Sequence, residues 1–306
     1  MTSRVLAVAA FVLLPLVASA GDFRVTLLGS GENYPQTDRL GPSILIEAGD
    51  QTLVFDAGRG ALQRFYESGA SFTDVDGIFF THLHSDHVIG FPGLWLGGWH
   101  FEGRETPVPV FGPAGTREMV EHIKAAFSFD IGIRIEDDRA PPEGVGVNVT
   151  EIDEDFVWRS GDVVVRAIDV DHRPIEPAFG YRIEYGGFSV VLSGDTRYSE
   201  ILIEAAKGTD LLVHEVADAS AKYLESNPGF RRVMAHHTSA KDVGRVFAQT
   251  QPRLAVYAHM VLRDLTFEDL IQVTRETYDG PLVIGEDLMT FDIGDNIGIV
   301  VRRSSL

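Results

Sequence analysis

The chain contains no cysteine. That excludes disulfides, thiolate nucleophiles and thiolate metal ligands, so any metal has to be held by imidazole and carboxylate. Basic residues are scarce: 26 Lys and Arg stand against 45 Asp and Glu, a formal net charge of −19 at pH 7. No basic stripe interrupts this balance. Such a surface repels polyphosphate chains at long range, which makes nucleic acid an unlikely partner, although a local positive funnel can hide inside a negative average. Low-complexity tracts are lacking too, and 44% hydrophobic with 23% charged residues in 306 fits an ordinary folded chain.

The only long apolar run lies at the start. Arg4 precedes Val5 to Ala20, interrupted by Pro15 and Ser19 and ending Ala18-Ser19-Ala20 before Gly21. A positive start, a short apolar body and an Ala-x-Ala ending describe a signal peptide cut after Ala20, residues 1–20, and predict a periplasmic or secreted protein. The other reading is an uncleaved anchor, but the run is shorter than the ~20 residues a spanning helix needs. Without cysteine a cysteine-linked lipid anchor is excluded, and no membrane association is expected after cleavage.

Residues 21–306 read as one domain, because no linker-like stretch divides them. Short strands are expected at Phe23–Leu28, Ser43–Ala48 and Thr52–Asp56, a helix at Arg59–Ser68, and a buried strand at Val75–Thr81. Val108–Phe111 reads as an edge strand because of Pro109. Thr116–Phe127 has helical spacing, and residues 135–147 resemble a surface loop. Strands Val163–Val170, Phe179–Tyr185 and Phe188–Leu192 follow. Helix and strand then alternate through Ile201–Ala206, Leu211–Val216, Ser239–Gln249, Leu254–Ala258 and Thr266–Tyr278, before strands Pro281–Ile293 and Ile297–Val301. Two strand-then-helix halves predict an α+β fold of two mixed sheets packed face to face with helices outside.

Thr81-His82-Leu83-His84-Ser85-Asp86-His87 directly follows an apolar strand. At strand spacing His82 and His84 point the same way, and a turn after His84 brings Asp86 and His87 back to a neighbouring position. That arrangement yields two adjacent ligand pairs, as a two-metal site requires. One loop cannot close two sites. His172, Asp195 and His259 each follow an apolar strand, at the carboxyl end where α/β folds gather functional side chains. Taken singly, each could also be a capping or turn residue. His and Asp without Cys suit zinc, and also iron or manganese.

His-Leu-His-Ser-Asp-His resembles the His-x-His-x-Asp-His signature of the metallo-β-lactamase superfamily. His172, Ser-Gly-Asp195-Thr and Ala-His259 match its later motifs in order, and Asp56-Ala-Gly-Arg-Gly60 looks like its Asp-x-Gly element. The resemblance covers about residues 23–302. It implies an αββα sandwich and two metal ions: one held by His82, His84 and His172, the other by Asp86, His87 and His259, with Asp195 bridging them and a hydroxide between them as nucleophile. The bridging Asp sets the chain apart from true β-lactamases, which lack it.

Gly-Pro-Ser43, Phe-Asp56-Ala-Gly-Arg-Gly, Gly-Leu-Trp95 and Pro-Ala-Phe-Gly-Tyr181-Arg-Ile-Glu are similar to two branches, the zinc-dependent arylsulfatases and ribonuclease Z. His214-Glu215-Val-Ala and His236-His237-Thr238-Ser239 resemble ribonuclease Z stretches. By that resemblance His237 serves the leaving oxygen and Glu215 orients it, with His236 or a helix-capping role as the alternatives, while Asp86 orients the water. Against a tRNA enzyme stand the short segment between His172 and Asp195, where ribonuclease Z carries its tRNA-gripping arm, and Arg59 where an acidic residue is common. The resulting expectation is an exported hydrolase of small anionic esters, aryl sulfate or phosphodiester. A ribonuclease Z-like endonuclease, a lactone or β-lactam hydrolase and a non-catalytic metal-binding protein are the alternatives. Trp95, Trp99, Phe101 and Phe127 either wall an aryl pocket or fill the core; His100, His122 and His214 receive no role. A homodimer is compatible with this reading.

Overall fold

The computed structural model describes residues 22–302. The expected signal peptide and its cleavage point fall outside the described residues. Six strands come first: β1 (Phe23–Gly29), β2 (Ser43–Ala48), β3 (Gln51–Phe55), β4 (Val75–Phe79), β5 (Val108–Gly112) and β6 (Val147–Glu151). Seven build a second sheet: β7 (Val157–Ser160), β8 (Val163–Asp169), β9 (Phe179–Tyr185), β10 (Phe188–Leu192), β11 (Leu211–Ala219), β12 (Leu254–Arg263) and β13 (Leu282–Ile284). The chain then returns to the first sheet with β14 (Met289–Asp292) and β15 (Gly298–Val301). The strand orders are β15-β14-β1-β2-β3-β4-β5-β6 and β13-β12-β11-β10-β9-β8-β7.

The helices are α1 (Ala61–Ser68), α2 (Ser85–Val88), α3 (Phe91–His100), α4 (Thr116–Ala126), α5 (Ser128–Glu136), α6 (Glu200–Ala206), α7 (Ala221–Ser226), α8 (Phe230–Met234), α9 (Ala240–Thr250) and α10 (Phe267–Thr274). Alternation along the strands decides the layering. Ile46 of β2 and Leu211 and Val213 of β11 enter the core between the sheets, with Phe23, Val25, Tyr181, Val256 and Phe291. Their neighbours face outward: Leu45 joins Phe65, Phe91 and Trp95 of α1 and α3, and Leu212 joins Leu202, Val243, Phe247 and Leu270 of α6, α9 and α10. Two sheets, each covered by helices, make the αββα sandwich.

Several boundaries differ from the sequence expectation. Pro109 lies inside the sheet, with β5 between β4 and β6. It is tolerated because Val108 N–H already serves Gly146 on the β6 side and β4 pairs only with Val110 and Phe111. The 135–147 stretch begins as the end of α5 and finishes as β6. Pro281–Ile293 is not one strand but two, split between the sheets, and the crossing carries Asp287. Its carboxylate accepts hydrogen bonds from Ser30 N and Oγ, Leu40 N and Arg64 Nε, pinning the loop after β1. α3 replaces what the sequence left unassigned. Its register turns Trp95 and Trp99, one turn apart, into the core, where both are fully buried and donate to Val145 O and Pro141 O.

Candidate metal centre

Strand ends and loops from both sheets meet at one edge of the sandwich. The His82–His87 loop follows β4, His172 follows β8 and Asp195 follows β10. His259 sits inside β12 rather than at its end, so the expected strand Leu254–Ala258 continues to Arg263. A register shift separates His214↔Tyr257 from Val216↔Met260, and His259 has φ 48°, in the left-handed region. Such a bulge bends the strand and re-aims one side chain. Here the backbone N–H of His259 turns to Ser30 O, 2.9 Å away.

All seven expected ligand residues converge. One group is His82, His84, His172 and Asp195; the other is Asp86, His87 and His259. Asp195 Oδ2 lies 3.2 Å from His259 Nε2 and 3.4 Å from His87 Nε2, and also 3.8 Å from His82 Nε2 and 3.7 Å from His172 Nε2. A single carboxylate oxygen therefore faces both groups. Asp86 Oδ2 stands 3.8 Å from His87 Nε2 and 3.9 Å from His259 Nε2.

Whether these residues fit cations is tested by their outward nitrogens. His87 Nδ1 binds Asp56 Oδ2 at 2.8 Å, His259 Nδ1 binds Gly31 O at 2.9 Å, and His172 Nδ1 binds His236 O at 2.9 Å. His82 Nδ1 meets Thr81 Oγ1 at 3.0 Å. Each anchor fixes the ring and leaves Nε2 pointing inward, the usual outer arrangement of metal-ligating histidines. Two buried atoms at the centre, His87 Nε2 and Asp195 Oδ1, have no hydrogen-bond partner among the described residues. Buried polar atoms are rarely left so, because the cost is about 1–3 kcal/mol each. The donor set fits two divalent cations.

Electrostatics without metal agree. Burial would push Asp195 up, but His259 and His87 hold its carboxyl well below the usual range. Burial alone would lower His259, yet Asp195 overrides it and pushes it up to about 9. Burial, reinforced by His87, holds His82 well below its ordinary value. The negative charge of one buried carboxylate is shared among several rings, the role a cation pair would take over.

Asp56 supports the loop from beneath. It has φ 56°, and its carboxylate accepts from Thr81 N at 2.8 Å and Thr81 Oγ1 at 2.9 Å as well as holding His87. Gly90 makes the tight approach possible: a Cβ there would collide with the carbonyl of Gly58, and Gly90 N donates to Ala57 O at 2.7 Å. Asp56→Asn keeps a residue that tolerates positive φ but removes the charge. Its expected result is a 10–100-fold loss of metal affinity, by analogy with other outer-shell carboxylates, measured by competition with a chelating dye. Unchanged affinity would show that Asp56 only shapes the turn.

Beside the ligands, His237 Nδ1 lies 3.1 Å from Glu215 Oε2. Glu215 is buried and also accepts from Thr238 N at 2.9 Å, which fixes the carboxylate. Burial lowers His237, but Glu215 prevails and raises it above its ordinary value. Glu215 pairs with His237 and not with His236, whose carbonyl serves His172 Nδ1 instead. The pairing thus falls on His237. The sequence leaves four aromatics open between an aryl pocket and the core. Trp95 and Trp99 are core residues, and Phe101 and Phe127 line a separate groove with Leu62, Leu96, His100 and Arg134. His122 is exposed and His214 is buried with Nδ1 on Glu215 O.

Two sheets, outer helices and a His/Asp cluster at their edge define a metallo-β-lactamase-fold hydrolase. A model of the beta-lactamase superfamily domain matches residues 51–260, and the chain belongs to that superfamily. Among curated proteins it is similar to ribonuclease Z of Mycolicibacterium gilvum, 36% identical over 271 residues, covering 86% of this chain and 94% of the relative. It is also similar to ribonuclease Z of Mycobacterium bovis, 33% identical over 276 residues, covering 88% of this chain and 98% of the relative. Among solved structures, a metallo-beta-lactamase fold protein from Bacillus subtilis aligns with a TM-score of 0.69 at 18% identity, over 88% of this chain and 98% of that one. Human tRNase Z, short form, aligns with a TM-score of 0.62 at 20% identity, over 87% and 98%. These names favour the ribonuclease Z-like alternative over the exported arylsulfatase reading. They lend no support to sulfate-ester chemistry, and they run against the expectation that nucleic acid is an unlikely partner.

Proposed function

We propose that the chain is a dinuclear-metal phosphodiesterase of the ribonuclease Z kind. The observation that carries the reading is the position of Asp195 Oδ2, within 3.2–3.8 Å of imidazoles from both ligand groups. Two divalent cations, zinc in the first instance, held by His82, His84 and His172 and by Asp86, His87 and His259 and sharing Asp195, would supply Lewis acidity and an acidified water. The chain's own groups do the rest. Glu215 takes the Nδ1 proton contact of His237, which fixes the tautomer and leaves Nε2 to deliver a proton to the departing oxygen. Asp86, the more exposed of the two carboxylates, is the natural acceptor for the proton that the attacking water gives up. The Thr238 N–H to Glu215 contact keeps the dyad in place before substrate arrives.

A second reading, an exported enzyme of small phosphodiesters, is supported by the short β9–β10 hairpin between His172 and Asp195 and by the apolar start of the chain. A panel separates them: an RNA with a tRNA-like 3′ trailer, bis(p-nitrophenyl) phosphate, p-nitrophenyl sulfate and nitrocefin, each with added zinc or manganese. Endonucleolytic release of the trailer with kcat/KM above that on the small diester supports the first reading, and the reverse order supports the second. Turnover of the sulfate or nitrocefin alone sinks both.

A further inference from the structure

The rim of the site carries a group of residues with no part in holding the ligands. Arg263 lies on β12, four residues past His259, or roughly 13 Å at about 3.3 Å per residue. Its guanidinium is fixed by two bonds to Glu32, Nη1 to Oε1 at 2.6 Å and Nη2 to Oε2 at 2.7 Å. Glu32 is almost fully buried, so the pair is a rigid plate and not a flexible surface bridge. Glu32 in turn follows Gly31, whose carbonyl anchors His259.

Two aromatic rings flank this plate. Arg263 Cζ lies 5.7 Å from the Tyr34 ring and 5.2 Å from the Phe230 ring. Tyr223 meets Phe230 edge-on, with ring centroids 5.5 Å apart. Tyr34 is 64% exposed, so most of its ring is open to a partner. Phe230 begins α8, and the same short helix carries Arg231 and Arg232. Both are exposed and form no ion pair among the described residues. On a chain with a net charge of −19, two unpaired arginines beside an aromatic ring are a local exception to the average. α8 ends three residues before His237, and Ala235 O is held by Arg197 Nε at 2.6 Å. The segment therefore spans from the Arg263 plate to the group that serves the leaving oxygen. Its other end is tied down as well: Ser220 N donates to Arg263 O at 3.0 Å.

We infer that Tyr34, Phe230 and Arg263 form a stacking platform for the nucleoside next to the reacting phosphate of a single-stranded RNA, with Arg231 and Arg232 on its neighbouring phosphates. Stacking bases on aromatic and guanidinium faces, with cations tracking the backbone, is how single strands are held without base-specific contacts. The inference rests on the phosphodiesterase reading and adds to it the strand that the site accepts. It also adds a local attraction for an anion on an acidic protein, at a rim where two arginines form no ion pair among the described residues.

The test is fluorescence anisotropy of a labelled eight-nucleotide single-stranded RNA with the full chain, over a series of salt concentrations. Tyr34→Ala is expected to weaken binding at least tenfold and Tyr34→Phe to restore it, since the ring and not the hydroxyl is used. The double variant Arg231→Ala/Arg232→Ala is expected to weaken binding and to flatten the slope of log affinity against log salt by about 1.4, some 0.7 per lost phosphate contact. Wild-type affinity and slope in both variants would overturn the platform, as would absence of RNA binding by the wild-type chain. Hydrolysis of bis(p-nitrophenyl) phosphate by the same preparation, measured in parallel, shows whether the phosphodiesterase reading survives that failure.

Discussion

Replacing Asp195 by Ala is expected to reduce bound metal from two ions to at most one per chain and to cut phosphodiester turnover by ~10³-fold or more, in line with the loss of a central charge-stabilising group. The reason is geometric. Oδ2 of Asp195 is 3.2 Å from His259 and 3.4 Å from His87 on one side, and 3.7 Å from His172 and 3.8 Å from His82 on the other. Among the described residues no other carboxylate reaches both groups; Asp86 Oδ2 stands near His87 and His259. Removing the carboxylate leaves four inward rings without their shared negative partner, and two bound cations would lose the negative charge that offsets their mutual repulsion. Asp195→Asn is the companion variant. It preserves shape and lowers charge, so a folded but metal-poor protein separates loss of the bridge from loss of the fold. Metal content by mass spectrometry and melting by circular dichroism give the two readouts. Two metals and a near-normal rate in Asp195→Ala would remove the bridge from the scheme.

How far such a centre can be foreseen depends on how local its causes are. His82, His84, Asp86 and His87 were legible because a strand followed by one turn places them through short-range geometry alone. His172 and Asp195 could be found by their positions after strands. The convergence of His259 was expected, but its means was not: a bulge opposite His214 and Glu215 re-aims the ring inside a strand, and bulges leave no pattern in apolar alternation. The same limit explains the 281–293 run, one apolar stretch shared by two sheets and divided at Asp287, a crossing that only tertiary contacts decide. Trp95 and Trp99 stay open between pocket and core in the sequence because α3 is not legible there; Gly93, Gly97 and Gly98 in Phe91–His100 weaken helical propensity, and packing against α1 overrides it. The rim residues Tyr34, Phe230 and Arg263 are far apart in sequence, so nothing local joined them.

His237→Ala is expected to lower kcat about 10²–10³-fold on diesters with a ribose or alkyl leaving group, the usual range for a positioned acid. On p-nitrophenyl diesters the expected loss is no more than roughly tenfold, since a good leaving group departs with little proton assistance. Both metals should remain, because His237 is no member of either ligand group. The pH profile adds a second sign. Burial lowers His237, but Glu215 raises it above the ordinary 6.5 and wins. The donor form is protonated, so the rate on poor leaving groups should hold below that raised value and fall as pH rises through it. Glu215→Gln removes the raising charge and leaves the burial, so the falling limb should move to lower pH. His236→Ala keeps the carbonyl that accepts from His172 Nδ1 and should shift neither the limb nor the leaving-group dependence. Equal losses on good and poor leaving groups in His237→Ala would instead mark the residue as one that positions substrate, and a limb that moves with His236 would transfer the proton to that ring.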